Sequence, residues 1–394
     1  MNNPQPNSDV EPPCTCTRLG DDFDPSAGDS ASLEELVGPV RALDEASSSY
    51  AAATLLDRRR AYHGYQQASN GNGERLSVRL AVGCGSDLNA VAALCNGVHW
   101  IVVWDGLLQA IEHTISALAA SAASRDLFGS GLALDADALA NLLDSPSAGS
   151  STPELLLRAT PANAMRATFM VHAALRFICD HEFFHAFHGH VLLVNELFDR
   201  PVIPQLARLA QPLEPRIRMA LEMEADRSAV FAHFLDLAAG DGPGNPVIDA
   251  MTPTARIHLA TVAVSIVLAL LSKGEERVPD ENVATHPGIE ARLFMLLEST
   301  FVRALQMAGF DLASIVQLHN QVLASLSALE SVHSVFAVYG RATDERLREH
   351  HQIGNRRLEM AYRLYALERL RRHSFFGVAA NAVAATGSRC EPSV

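Results

Sequence analysis

From Leu33 to Gln67 the apolar positions fall at helical spacing, opened by the capping-box pattern Ser32-Leu33-Glu34-Glu35 and broken near Gly38-Pro39. Asn70-Gly71-Asn72-Gly73 is turn chemistry and closes that region. Leu76 to Val82 (LSVRLAV) alternates apolar and polar residues as a half-buried strand does. Val98 to Trp104 (VHWIVVW) is a second strand, rich in β-branched and aromatic residues. From Gly106 onward the period is helical almost throughout, interrupted at Asp144 to Pro153 (DSPSAGSSTP) by residues that mark an exposed loop. The longest apolar run, Ile257 to Leu271, falls short of the roughly twenty residues that span a bilayer as a helix, and reads as a buried core helix. Thr300 to His373 is helical and ends in an arginine-rich stretch that reads as a solvated face. The expected fold is therefore α+β and predominantly helical, with one small sheet and no internal repeat.

Composition narrows the class. Residues 1–30 are rich in Pro, Asn, Asp, Ser and Gly and read as a disordered tail, but 48% of the 394 residues are hydrophobic, so most of the chain must fold to hide apolar surface. Acidic residues (45) outnumber basic ones (31) for a formal charge of −14, the wrong sign for a protein that holds a phosphate backbone; nucleic acid is not an expected partner. Lys273 is the only lysine, a bias expected of a GC-rich bacterial genome. Six scattered cysteines without CxxC spacing, and an N-terminus without a basic and apolar leader, suggest a reducing, cytoplasmic setting.

The candidate chemistry lies in Asp180-His181-Glu182-Phe183-Phe184-His185. Four residues apart on a helix, His181 and His185 project from one face and can hold one zinc ion, with Glu182 beside them to act on water. A catalytic zinc takes three protein ligands and keeps one position open, so a third ligand must come from elsewhere. Glu222-Met223-Glu224-Ala225-Asp226 supplies an ExxxD pair on one helix face: Glu222 to bind metal, Asp226 to accept a hydrogen bond from a ligand histidine. Glu224, Glu196 and Glu214 are the other candidates for the third ligand. His188 and His190 do not fit the metzincin pattern HExxHxxGxxH, because the glycine, Gly189, falls one position late. His188 is assigned to the site's periphery or to the surface.

Four blocks, in order, resemble the zinc metallopeptidases that include the HtpX-like proteases and the CAAX prenyl proteases, a branch of the gluzincins. Leu88 to Ala92 followed by Ile101 to Leu108 is similar to the family's NAxA…IxVxxGLL segment; His181 to His185 matches HExxH; Glu222 to Asp226 matches ExxAD; and Thr285 to Arg292 matches THPxxxxR. The resemblance implies a zincin-like domain over 31–299, and a zinc endopeptidase acting on protein or peptide. It implies that the strand Val98 to Trp104 is an edge that pairs with extended substrate, so that Val98, Trp100, Val102 and Trp104 are substrate-binding positions. It places His286 near the zinc to stabilise the oxyanion, and Arg292 to brace the acidic residues behind the ligands.

The chain also departs from the family. Phe183-Phe184 is bulky for the interior of HExxH, and the long interval before His181 suggests an insertion at 115–165. Residues 300–375 read as a helical C-terminal extension and 376–394 as a flexible tail. The several spanning helices of the family's membrane members are not evident, so membrane association is not expected. Two rival readings remain: a zinc-binding interaction protein without turnover, and a latent enzyme in which Cys14 or Cys16 places a thiolate on the zinc.

Overall fold

The computed structural model describes residues 27–41, 43, 50–121, 152–198, 202–204, 214–239, 251–275, 289–330, 334–337, 339 and 372–376. Helix α1 (Ala27–Val37) leads to β1 (Val40–Arg41), and α2 (Tyr50–His63) to β2 (Ser69–Asn70). The break at Gly38-Pro39 falls where expected, with Gly38 at φ 80°. Ser32, however, lies inside α1, which already starts at Ala27 within the expected tail. Strands β3 (Val78–Gly83), β4 (Ala90–Cys95) and β5 (Val98–Trp104) precede α3 (Asp105–Ala120). Gly106 lets α3 start against the β3–β4 connection, since a Cβ there would meet the Ser86 carbonyl at 2.2 Å.

The main sheet has the order β1-β3-β5-β4-β6, where β6 is Val202–Pro204. Within it β5 runs parallel to β3 and antiparallel to β4. This corrects the expectation for Val98 to Trp104: β5 is paired on both sides, so its backbone groups are already taken and it cannot receive a substrate strand. Side-chain direction adds a second objection. Trp100, Val102 and Trp104 face the layer formed with Leu33, Val40 and Val91, with Val98 packed at its margin, whereas Ile101 and Val103 face the layer shared with the helix of the histidine motif. A strand covered on both faces reads as a continuous apolar run, which is what VHWIVVW is.

The remaining described helices are α4 (Thr152–Arg158), α5 (Pro161–Phe187), α6 (His190–Phe198), α7 (Glu214–Ala239), α8 (Pro253–Glu275), α9 (Ile289–Met295), α10 (Phe301–Met307) and α11 (Leu312–Glu330), with a π-helical turn, Leu296–Thr300, between α9 and α10 and a 3-10 turn at Ser334–Ala337. Helix α8 packs on α5, α7 and α11. Its stretch Pro253–Leu271 is long and apolar enough to cross a membrane by length and composition, yet Ile257, Val262, Ile266 and Val267 are fully buried here. Its hydroxyls are satisfied locally, Thr261 donating to the Ile257 carbonyl and Ser265 to that of Thr261.

Two expected boundaries move. Ile115 to Ala120 and Leu155, assigned above to an insertion, are buried in the main core; residues 122–151, with most of the expected loop, lie outside the described residues. Phe301, Leu305, Ile315, Leu318 and Val322 belong to that same core, so α10 and α11 are part of the main body rather than an appended extension. The arginine-rich stretch lies almost wholly outside the described residues. Finally β7 (Phe375–Phe376) returns to pair with β2. Among the described cysteines Cys95 and Cys179 are buried and take part in no disulfide, while Cys84 is disulfide-bonded.

Candidate metal centre

Helix α5 is built to hold the motif at its C-terminal end. Thr160 caps its start, the hydroxyl accepting from the Asn163 amide at 3.2 Å, and Pro161 occupies a first-turn position where no amide partner is needed. It ends at Gly189, whose φ of +74° suits the left-handed residue that closes a helix. Behind the motif, Asp180 accepts from the Tyr62 hydroxyl at 2.8 Å and from Arg176 Nε at 3.2 Å, and Arg58 lies 3.5 Å away. Phe183 stacks on Tyr62 with ring centroids 4.4 Å apart and planes 3° from parallel, and also packs on Phe187 and Tyr65. The bulky pair inside HExxH thus belongs to an aromatic cluster that seats α5 against α2.

His181, His185 and Glu222 converge, their donor atoms all within 4.8 Å of one another. His181 Nε2 is 3.1 Å from His185 Nε2 and 3.1 Å from Glu222 Oε2, and His185 Nε2 is 3.3 Å from Glu222 Oε1. Donors about 2.0–2.1 Å from one tetrahedral ion stand roughly 3.3–3.4 Å apart, so the spacing and the nitrogen-and-carboxylate set fit zinc. This buried group can hold a metal ion. Glu182 is also buried and lies 4.0 Å from His181 Nε2.

The outer side of His181 is held by charge. Its Nδ1 is 2.9 Å from Asp226 Oδ1, and Arg292, almost fully buried, donates to both oxygens of the same carboxylate. Burial opposes ionisation of Asp226, but Arg292 and His181 outweigh it and hold the carboxyl down at about 2. Burial likewise opposes charge on His181, yet its hydrogen bonds to Asp226 and Glu222 prevail and lift it to about 10; burial depresses His185 to about 3. The site therefore calls for positive charge among its acceptor atoms, which a proton or a metal cation can supply.

Of the other carboxylates, Glu196 pairs instead with His373 at 2.5 Å, Glu224 contacts His190, and the side chain of Glu214 is outside the described residues. His188 turns away to Ser228 Oγ at 3.0 Å. His286 and the rest of the THP block lie outside the described residues, as do Cys14 and Cys16. His190 is the residue that sequence reasoning passed over: fully buried, its Nδ1 is 3.0 Å from His185 Nδ1. Nothing in its spacing signals this, because a helix break separates the two.

No protein-family model, curated protein or solved structure matches the chain. The functional reading rests on the site itself.

Proposed function

We propose that the chain is a zincin-like, zinc-dependent endopeptidase, with His181, His185 and Glu222 holding the ion and Glu182 acting as general base. The observation that carries this reading is the gathering of three buried residues whose acceptor atoms stand 3.1–3.3 Å apart, beside a second buried acid, Glu182, that a purely structural site does not need. When bound, zinc lowers the pKa of water toward about 7 and polarises a peptide carbonyl. Glu182 takes the proton of the attacking water and returns it to the leaving amine, so that water is divided across the cleaved bond with no net proton change. Asp226 accepts from His181 Nδ1–H and keeps the Nε2 lone pair turned inward, and Arg292 keeps Asp226 ionised. His286 is assigned to the oxyanion on the resemblance alone. The substrate class is protein or peptide, and a cytoplasmic setting is proposed from the sequence.

Elemental mass spectrometry of the purified chain beside Glu222→Ala tests the ligand set. One zinc per chain, lost in the variant, is expected. Zinc retained at full stoichiometry by Glu222→Ala would remove Glu222 from it.

One observation favours a second reading. His181, Glu182, His185 and Glu222 are each at most 1% exposed, which suits a closed metal site in an interaction protein or a latent enzyme. Hydrolysis of a quenched fluorescent peptide library by zinc-loaded protein, with and without residues 1–26, which precede α1 and carry Cys14 and Cys16, separates the cases. An enzyme cleaves in both forms, a latent one only after deletion, and an interaction protein in neither.

A further inference from the structure

The two ligand histidines are supported differently. His181 has a carboxylate behind it, Asp226, whereas His185 has another imidazole: His185 Nδ1 and His190 Nδ1 face one another at 3.0 Å, both rings buried. Two ring nitrogens at that distance need one proton between them. If His185 is to present the lone pair of Nε2 to a metal, its proton must sit on Nδ1, and His190 Nδ1 must accept it. His190 then carries its own proton on Nε2, which lies 3.4 Å from Glu224 Oε2, an electrostatic contact in which no hydrogen bond is formed. Only this tautomer assignment gives the His185–His190 link one donor and one acceptor while leaving His185 Nε2 open, and it turns the positive edge of His190 toward the Glu224 carboxylate.

We propose that His190, backed by Glu224, is the positioning residue for His185, fixing its tautomer and ring plane as Asp226 does for His181. The proposal deepens the metal-site reading above and rests on it. One helix would then back both ligand histidines, because Glu224 and Asp226 both follow Glu222 on α7.

The fold delivers His190 with care. It opens α6 directly after Gly189, where a Cβ would meet the His373 carbonyl oxygen at 2.5 Å, so the turn is pressed against the 372–376 segment. Ser374 Oγ donates to the His188 carbonyl at 2.8 Å, and His373 pairs with Glu196 of α6. The turn that aims His190 is thus fastened on both of its sides by one short stretch of chain, itself anchored through the β2–β7 pair.

The test compares full-length wild type with His190→Leu, His190→Asn and Glu224→Gln. The readouts are zinc affinity, by competition with a chromophoric chelator, and the visible spectrum of the cobalt(II)-loaded protein. His190→Leu should weaken zinc by about 10–100-fold and alter the cobalt bands. His190→Asn, whose amide oxygen can accept from His185 Nδ1–H, should recover most of that loss, and Glu224→Gln should weaken zinc by a few-fold. A folded His190→Leu with wild-type affinity and spectrum overturns the proposal. Should that variant fail to fold, an unchanged affinity and spectrum in Glu224→Gln overturns it instead. A folded wild type that takes up neither zinc nor cobalt defeats the metal-site reading itself, an outcome distinct from either.

Discussion

Arg292 grips Asp226 with two nitrogens, Nε at 2.7 Å from one carboxylate oxygen and Nη2 at 2.8 Å from the other, with both side chains almost wholly out of water. This bidentate pair is the outer support of His181, and it joins α9 to α7.

Removing one partner of such a pair strands the other charge. Arg292→Leu should destabilise the fold by about 3–5 kcal/mol in urea unfolding and weaken zinc binding as well. Arg292→Lys should recover only part of either effect, since an ammonium cannot reproduce the two-pronged geometry. Stability within 1 kcal/mol of wild type in the leucine variant, on the order of a surface pair, would contradict the buried-pair account.

Glu182→Gln separates binding from chemistry. The amide preserves shape but cannot take a proton, so zinc content should stay at the wild-type level while peptide hydrolysis falls by about 100-fold or more. Turnover equal to wild type would remove Glu182 from the role of base.

Phe183→Ala tests whether the bulky motif residue serves packing. Losing its stack on Tyr62 and its contacts with Phe187 should cost about 3–5 kcal/mol of stability, measured by urea unfolding, with zinc stoichiometry unchanged below the transition. Loss of zinc from the still-folded variant would show that the ring acts on the ligands as well.

Acid sensitivity should come partly from His99, buried in β5 and in ring contact with Phe375. Burial lowers its pKa from the ordinary 6.5 to about 4, so between these values the unfolded chain binds a proton that the folded chain refuses. Its contribution to stability is complete above pH 6.5 and is lost as pH falls toward 4, at up to about 1.4 kcal/mol per unit. Urea midpoints from pH 7 to pH 4.5 should decline less steeply in His99→Gln than in wild type; parallel curves would assign the decline to other groups.

The site was legible where it is local. His181 with His185, and Glu222 with Asp226, are i,i+4 pairs, and helix geometry alone puts each pair on one face. What joins the pairs is tertiary, and so is the approach of His190 to His185 across the break at Gly189. In the sheet, β3 and β5 were marked by alternation and by β-branched residues. AVAALC at β4 carries neither signal, and two- and three-residue strands such as β1 and β6 fall below any periodic pattern. The central position of β5 was nevertheless written in its apolar run from Trp100 to Trp104, which an edge strand facing solvent would not show.

The bond from Ser374 to the His188 carbonyl spans 186 positions. On a ribosome adding about 5–20 residues per second, the motif helix emerges some ten to forty seconds before the segment that fastens the turn after it. For that interval the nascent chain carries both motif histidines without the strap, so the turn that aims His190 is among the last parts of the site to be fastened.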